Sequence, residues 1–148
     1  GTPNFDMLQI TRKGNGIKLF DERLAAMEKA DVSGALNKAG GDILTFIKHD
    51  VFDSEGAALF GKWKKLSPVY AAWKAKRFPG AKILVQTGAM KNSFRKRVEM
   101  GKKLIIDNTD QKFPWHQLGM GVPKRQMLGI NQVILDMVSQ RIHELFKK

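Results

Sequence analysis

Between Phe94 and Ile106 the chain alternates apolar and charged residues and then turns back on itself. Phe94, Val98 and Met100 take one parity and Arg95, Arg97 and Glu99 the other, with Lys96 the single charge of inward parity. Gly101-Lys102 offers a glycine for the first central position of a two-residue turn, and Leu104, Ile105 and Ile106 read as the returning strand. A hairpin near 93–107 with one apolar face must be covered, and the remaining sequence supplies helices to do so. The strongest is at the C-terminus, where Ile130, Val133, Ile134, Met137, Val138, Ile142 and Leu145 follow a helical repeat. Lys147 and Lys148 fall where they would favour the helix dipole.

Other segments give weaker patterns. Phe5–Thr11 reads as a short strand, followed by a turn at Gly14-Asn15-Gly16. Ile17, Phe20, Leu24 and Met27, at spacings of three, four and three, predict an amphipathic helix. Leu36, Ala39, Ile43, Ile47 and Val51 predict a second helix, with Ser33 as its N-cap and Gly40-Gly41 marking a close crossing or a break. Asp53–Gly61 reads as a loop. Ser67 then caps, and Pro68 opens, a short basic helix that runs to Phe78-Pro79-Gly80 and places Tyr70 and Trp73 on one face. Ile83–Val85 reads as a short strand, with Thr87 capping a brief turn through Lys91. Asn108–Lys112 reads as polar loop. Phe113–Gly119 and Gly121–Pro123 read as an aromatic connection without a helix.

The expected fold is α+β: an antiparallel sheet of about three to four strands packed against amphipathic helices, in a single domain spanning 1–148. Residues 1–3 are expected to be a disordered or non-native start. At 148 residues such a domain buries a core without disulfide or metal, and the absence of cysteine fits a reducing compartment. No apolar run approaches the roughly 20 residues of a membrane span, so no membrane role is expected.

Charge is unevenly placed. Gly61–Val98 holds eleven Lys and Arg and no acidic residue, whereas basic and acidic residues nearly balance elsewhere. Such a field attracts a polyanion or an acidic protein surface, with salt weakening the attraction; as a bare charge run it is also simply a solvated face. Lys62, Lys64, Lys65, Lys74, Arg77, Arg95, Arg97 and Arg125 are the candidate assembly or polyanion contacts. Trp63, Tyr70 and Trp73 could stack on unpaired bases, or serve as core anchors.

Catalytic constellations are missing from the sequence. There is no cysteine nucleophile, and His49, His116 and His143 are scattered with no metal-ligand spacing. His116 sits in an aromatic loop, where packing against Trp115 or bonding the backbone competes with a proton-carrier role. Asp50 with Asp53, and Asp107 with Asp110, lack the further ligands of a metal site, and Gly14-Asn15-Gly16 lacks the Lys-Ser/Thr of a phosphate loop. No enzyme activity and no cofactor are expected.

Four short segments in fixed order carry a resemblance. Trp63-Lys64-Lys65-Leu66-Ser67-Pro68, Lys74 and Ile83 through Phe94 resemble the pattern W-x-x-L-S-P … K … I-L-x-x-T-G-x-L-x-x-S-[IF] of bacteriophage virion morphogenesis proteins of the tail-completion group. Trp115–Gly119 resembles that group's aromatic-x-x-H-Q-F-G stretch, and Val122–Gly129 its I-P-x-R-x-F-L-G stretch. Met90, Leu118 and Met127-Leu128 depart from the pattern while conserving apolar volume. The matching residues Trp63, Ser67, Pro68, Thr87, Gly88, Ser93, His116, Gln117, Gly119, Pro123, Arg125 and Gly129 are expected to be architectural. The resemblance implies a non-enzymatic phage or prophage structural protein, found in the virion and in the host cytoplasm during assembly. It implies a homo-oligomeric ring that acts in tail completion and head–tail joining, with tail-tube or neck and head proteins as partners. The basic segment leaves room for transient DNA contact besides. The alternative from composition is a small nucleic-acid-binding module using Gly61–Val98.

Overall fold

The computed structural model describes residues 8–13, 16–21 and 32–146. The fold is α+β, and the chain divides into two units assembled from discontinuous segments.

The first unit comprises residues up to Thr45, Arg95–Asp107 and Ile130 onward. Its strands are β1 (Leu8–Lys13), β2 (Gly16–Asp21), β3 (Phe94–Glu99) and β4 (Lys103–Asn108), in the sheet order β1-β2-β4-β3. β1 and β2 are antiparallel, with Leu8 opposite Asp21 and Lys13 opposite Gly16; β2 and β4 are antiparallel, with Ile17 opposite Ile106 and Leu19 opposite Leu104. Helix α1 (Ser33–Thr45) and the C-terminal helix α4 (Gln132–Phe146) complete the unit.

The helix expected from Ile17 is instead the strand β2. The spacing from Ile17 to Phe20 suits a helix, but Ile17–Phe20 is also a short, largely apolar run after Asn15-Gly16, a hairpin signal. Pairing along β4 decides between them, because a short apolar run takes its structure from its tertiary neighbours. The later part of that expectation, Leu24 and Met27, lies outside the described residues, as do residues 1–3, the Gly14-Asn15 turn and the Lys147-Lys148 end. The N-terminal strand occupies Leu8–Lys13, overlapping the expected Phe5–Thr11 and running to Lys13; the first three residues of that expectation are also outside the described ones.

The hairpin forms as expected, with a different turn. Lys102 N–H donates to the Glu99 carbonyl at 3.1 Å, so Met100 and Gly101 are the central residues, with φ of 54° and 69°. Two positive φ values are the signature of a type I′ turn, whose twist suits a two-residue hairpin. Met100 therefore stands 82% exposed in the turn rather than continuing the buried parity of Phe94.

Helix α1 begins at Ser33 itself, one residue earlier than a cap at Ser33 would place it, with Leu36, Ala39, Gly40 and Ile43 buried. Gly40 marks a close approach, of helix to strands: a Cβ there would lie 2.9 Å from Lys96 Cδ and 3.0 Å from Leu104 Cδ1. Lys96 resolves its inward parity by running its stem past Gly40 and donating from Nζ to Asn37 Oδ1 at 2.5 Å. Helix α4 (Gln132–Phe146) buries Ile134, Val138 and Ile142, while Val133 and Leu145 are exposed, so its buried stripe is narrower than its apolar sequence. Asn131 caps it, accepting from Ile134 N–H at 3.0 Å. A bidentate pair, Arg141 Nε to Asp42 Oδ2 at 2.8 Å and Nη2 to Oδ1 at 3.0 Å, ties α4 to α1.

The second unit comprises Phe46–Phe94 and Asn108–Gly129. Phe46–Val51 is wound as a π-helix, and Ser54–Gly61 is a run of turns. Helix α2 (Pro68–Arg77) opens as expected: Ser67 Oγ accepts from Tyr70 N–H at 3.3 Å and Pro68 occupies the first turn. Ile83–Val85 is a turn and not a strand; Leu84 takes φ 64°, which breaks any extended run. Phe113–Leu118 forms a helix, α3, where no helix was expected: Pro114 sits in its first turn and Gly119, at φ 76°, ends it. A six-residue helix is below the length at which periodicity shows. The core of this unit is aromatic. Phe52 packs edge-on against Trp63 at 5.4 Å and Phe94 at 6.2 Å, and Phe94 meets Phe113 at 5.5 Å.

Candidate functional site

All four of the ordered segments singled out in the sequence lie in the second unit, and parts of each line one cleft of about 800 Å³. Lys64, Lys65, Leu66 and Ser67 come from the first segment, Leu84 and Gln86–Met90 from the second, His116 from the third, and Val122, Pro123 and Arg125 from the fourth. Tyr70 and Lys74 of α2 and Asp110 and Lys112 of the following loop complete it.

The motif residues explain why these distant segments meet. Trp63, 5% exposed, donates from Nε1 to the Gln126 carbonyl at 2.9 Å. Gln117 clamps the fourth segment: Oε1 accepts from Met127 N–H at 2.8 Å and Leu128 N–H at 3.1 Å, and Nε2 donates to the Leu128 carbonyl at 2.5 Å. A single primary amide thus stands in for a strand partner, satisfying backbone that would otherwise lack bonds. Arg125 N–H donates to the His116 carbonyl at 2.8 Å. Its guanidinium reaches the first segment, Nε to the Lys64 carbonyl at 2.9 Å and Nη2 to the Lys65 carbonyl at 3.5 Å. Thr87 Oγ1 accepts from Ala89 N–H at 3.3 Å, Gly88 takes φ 83°, and Ser93 Oγ donates to the Ala89 carbonyl at 2.6 Å. Gly119, at φ 76°, is crowded by Lys124, whose Cβ would lie 3.0 Å from an added Cβ, and at Gly129 an added Cβ would fall 2.3 Å from Phe60 Cε2 unless that ring moved.

The candidate contact residues separate into groups. Lys62, Lys64 and Lys65 are exposed, the last two on the cleft. Arg77 is exposed and lies 5.6 Å over the Trp73 ring, in a cation–π contact. Lys74 is buried, contrary to the surface role expected of it: α2 turns this position inward, and Nζ donates to the Lys82 carbonyl at 2.6 Å. Arg125 is buried too, 5% exposed. Arg95 and Arg97 belong to the first unit and face acids there, Arg95 with Asp107 at 2.6 Å and Arg97 with Glu99 at 3.8 Å.

Electrostatics in the cleft disfavour added positive charge. Burial lowers the proton affinity of Lys74, with Glu55 opposing that effect and Arg125 reinforcing it. Burial also holds the His116 imidazole below its usual range, helped by Arg125 and Lys112 and opposed by Asp110. His116 Nδ1 is buried and has no hydrogen-bond partner among the described residues.

Tyr70 and Trp73 stack at 5.5 Å and remain 39% and 43% exposed, so they anchor no core. Two residues of the cleft lining and one that acts on Lys74 from outside it gave no sequence signal. Leu84 is held at positive φ, Asp110 accepts from Lys112 N–H through Oδ1 at 2.8 Å, and Glu55 Oε2 accepts from Ile83 N–H at 2.9 Å. Only a positive φ at a non-glycine residue, invisible in sequence, marks the first. Among the described residues no three His, Asp or Glu come together as a metal site, and no helix is long and apolar enough to cross a membrane. The chain matches no protein-family model, no curated protein and no solved structure.

Proposed function

We propose that this chain is a structural bacteriophage or prophage virion morphogenesis protein that acts in tail completion and head–tail joining as a ring of like subunits. One observation supports the reading above the others: three of the four motif segments that resemble the tail-completion group, the first, third and fourth, serve each other's backbone. Trp63, Gln117 and Arg125 each bond main-chain groups of another motif segment. Residues that only hold a scaffold together are what an assembly protein needs, and their chemistry implies no reaction. A closed ring requires two different complementary patches on each subunit. The exposed apolar residues Tyr70, Trp73, Trp115, Leu118 and Met120 supply unsatisfied apolar surface of the kind that interfaces cover.

Deleting the gene from the genome that carries it and imaging induced particles tests the reading. The expected result is filled heads and tails that fail to join, restored by the gene supplied in trans. Normal joined virions from the deletion would refute it.

The exposed Tyr70–Trp73 stack beside Arg77 favours a second reading, a nucleic-acid-binding module. It predicts DNA affinity that falls steeply with salt and falls further on Lys64→Glu and Lys65→Glu substitution.

A further inference from the structure

Two buried cations line the same cleft with no carboxylate of the described residues in salt-bridge range. Lys74 is 4% exposed and Arg125 5% exposed, and neither forms an ion pair among the described residues. Their neighbours are main-chain carbonyls: Lys82 for Lys74, and Lys64 and Lys65 for Arg125. Carbonyls satisfy hydrogen bonds without neutralising the charge; Glu55, outside salt-bridge range, offsets the burial of Lys74 only in part, and an incompletely compensated buried charge is costly. An ammonium has three N–H donors and a guanidinium five, so both groups retain donors beyond these bonds.

Two further features belong to the same cleft. The partnerless Nδ1 of His116 can donate to an incoming acceptor in the tautomer that carries its hydrogen there. The one acidic residue in the lining, Asp110, already accepts from Lys112 N–H. Apolar Leu66, Leu84, Met90 and Val122 share the rest of the lining with polar residues and with the cations Lys64, Lys65 and Lys112.

We infer that the cleft binds a carboxylate-bearing, apolar peptide segment of an acidic partner protein, with the carboxylate against Arg125, Lys74 and His116 and the apolar side chain along Leu66, Leu84 and Val122. Charge complementarity selects the occupant. The unit carries twelve Lys and Arg against four Asp and Glu, so a second copy of it would be repelled. The apolar part of the lining, Leu66, Leu84 and Val122, suits a peptide side chain and not a phosphodiester backbone. Exposed Trp115 and Leu118, beside His116 in sequence, and Tyr70 on the lining extend the contact surface beyond one small molecule, as a protein partner requires. The cleft chemistry stands on its own. Only the assignment of the segment to a neighbouring virion protein rests on the proposed function.

The test uses the full chain and an acetylated octapeptide, Gly-Ser-Glu-Leu-Glu-Phe-Gly-Ser, against its counterpart with Gln for both Glu. Nitrogen-edited NMR follows the His116 ring and the Arg125 Nε signals during titration. The Glu peptide is expected to shift both saturably, at least tenfold more tightly than the Gln peptide. Ala89 lines the cleft outside the buried core, so Ala89→Glu places a competing carboxylate without disturbing packing, and is expected to weaken binding at least tenfold while Ala89→Gln keeps it. Equal binding of the two peptides, unshifted His116 and Arg125 signals, or equal loss in the two Ala89 variants would overturn the inference. So would a thymidine oligonucleotide that displaces the peptide at lower concentration. Solution mass, read separately, reports on ring formation, so failure of either idea is recognised without the other.

Discussion

The indole Nε1 of Trp63 donates a 2.9 Å hydrogen bond to the carbonyl of Gln126, joining two segments 63 residues apart in the chain. The same ring packs edge-on against Phe52, so one residue anchors both the aromatic core and the fourth motif segment. Trp63→Phe retains most of the packing but orphans the Gln126 carbonyl, and is expected to cost about 1–2 kcal/mol in urea denaturation. Trp63→Ala adds a cavity and should cost about 3–5 kcal/mol.

Adjacent glycines of α1 should respond in opposite directions. A methyl at Gly41 would meet only Lys96 Cε, at 4.0 Å, so Gly41→Ala gains helix propensity and stabilises by about 0.5–1 kcal/mol. Gly40→Ala meets Lys96 Cβ at 3.1 Å and Leu104 Cδ1 at 3.0 Å, and overpacking of about 1–3 kcal/mol offsets or exceeds the same gain. Thermal melts of the two variants check the contrast.

A similar contrast separates Gly56 from Gly129. A methyl at Gly56 would sit 2.4 Å from the buried Trp63 ring and 2.8 Å from the Gly61 carbonyl, at φ 94°, so Gly56→Ala is expected to lose at least about 2 kcal/mol. At Gly129 the closest atoms belong to the ring of Phe60, which is 52% exposed and able to swing aside. Gly129→Ala should therefore be the milder change in the same denaturation experiment.

His116 gives stability a dependence on pH with a defined sign. Its folded-state proton affinity lies below the usual value of 6.5, chiefly through burial. The unfolded chain therefore binds the proton more readily, and stability falls as pH drops below 6.5 toward the lowered folded value. Well above that value the imidazole is neutral in both states and contributes no slope. Denaturation midpoints of the wild type and His116→Gln should diverge from one another only in the acidic window, the wild type losing more.

The Arg141–Asp42 pair couples two helices through bidentate geometry but remains partly exposed to solvent. A double-mutant cycle with Arg141→Met and Asp42→Asn should give a favourable coupling that shrinks as sodium chloride is raised. Coupling unaffected by salt would contradict an exposed ionic contact.

Local chemistry made some elements legible in the sequence and tertiary context decided the others. Ser67-Pro68 announced α2 because a cap and an N1 proline act within one turn, and Gly101 announced the hairpin, although its partner in the turn proved to be Met100. Ile17–Phe20 was misleading because its spacing suits a helix, while its pairing partner, β4, lies far along the chain at Lys103–Asp107. The motif segments around the cleft were legible as segments, since Gln117 and Gly119 have recognisable backbone roles. The inward turn of Lys74 and Arg125 was not, because lysine and arginine are ordinarily solvated and only main-chain carbonyls of Lys82, Lys64 and Lys65 show otherwise.

The solution mass of the purified chain, measured by light scattering over a concentration series at physiological salt, tests the assembly reading most directly. The account predicts a closed species of one fixed mass that imaging resolves as a ring, with DNA binding confined to low salt. A chain that stays monomeric at every concentration and binds DNA with a steep salt dependence would contradict it.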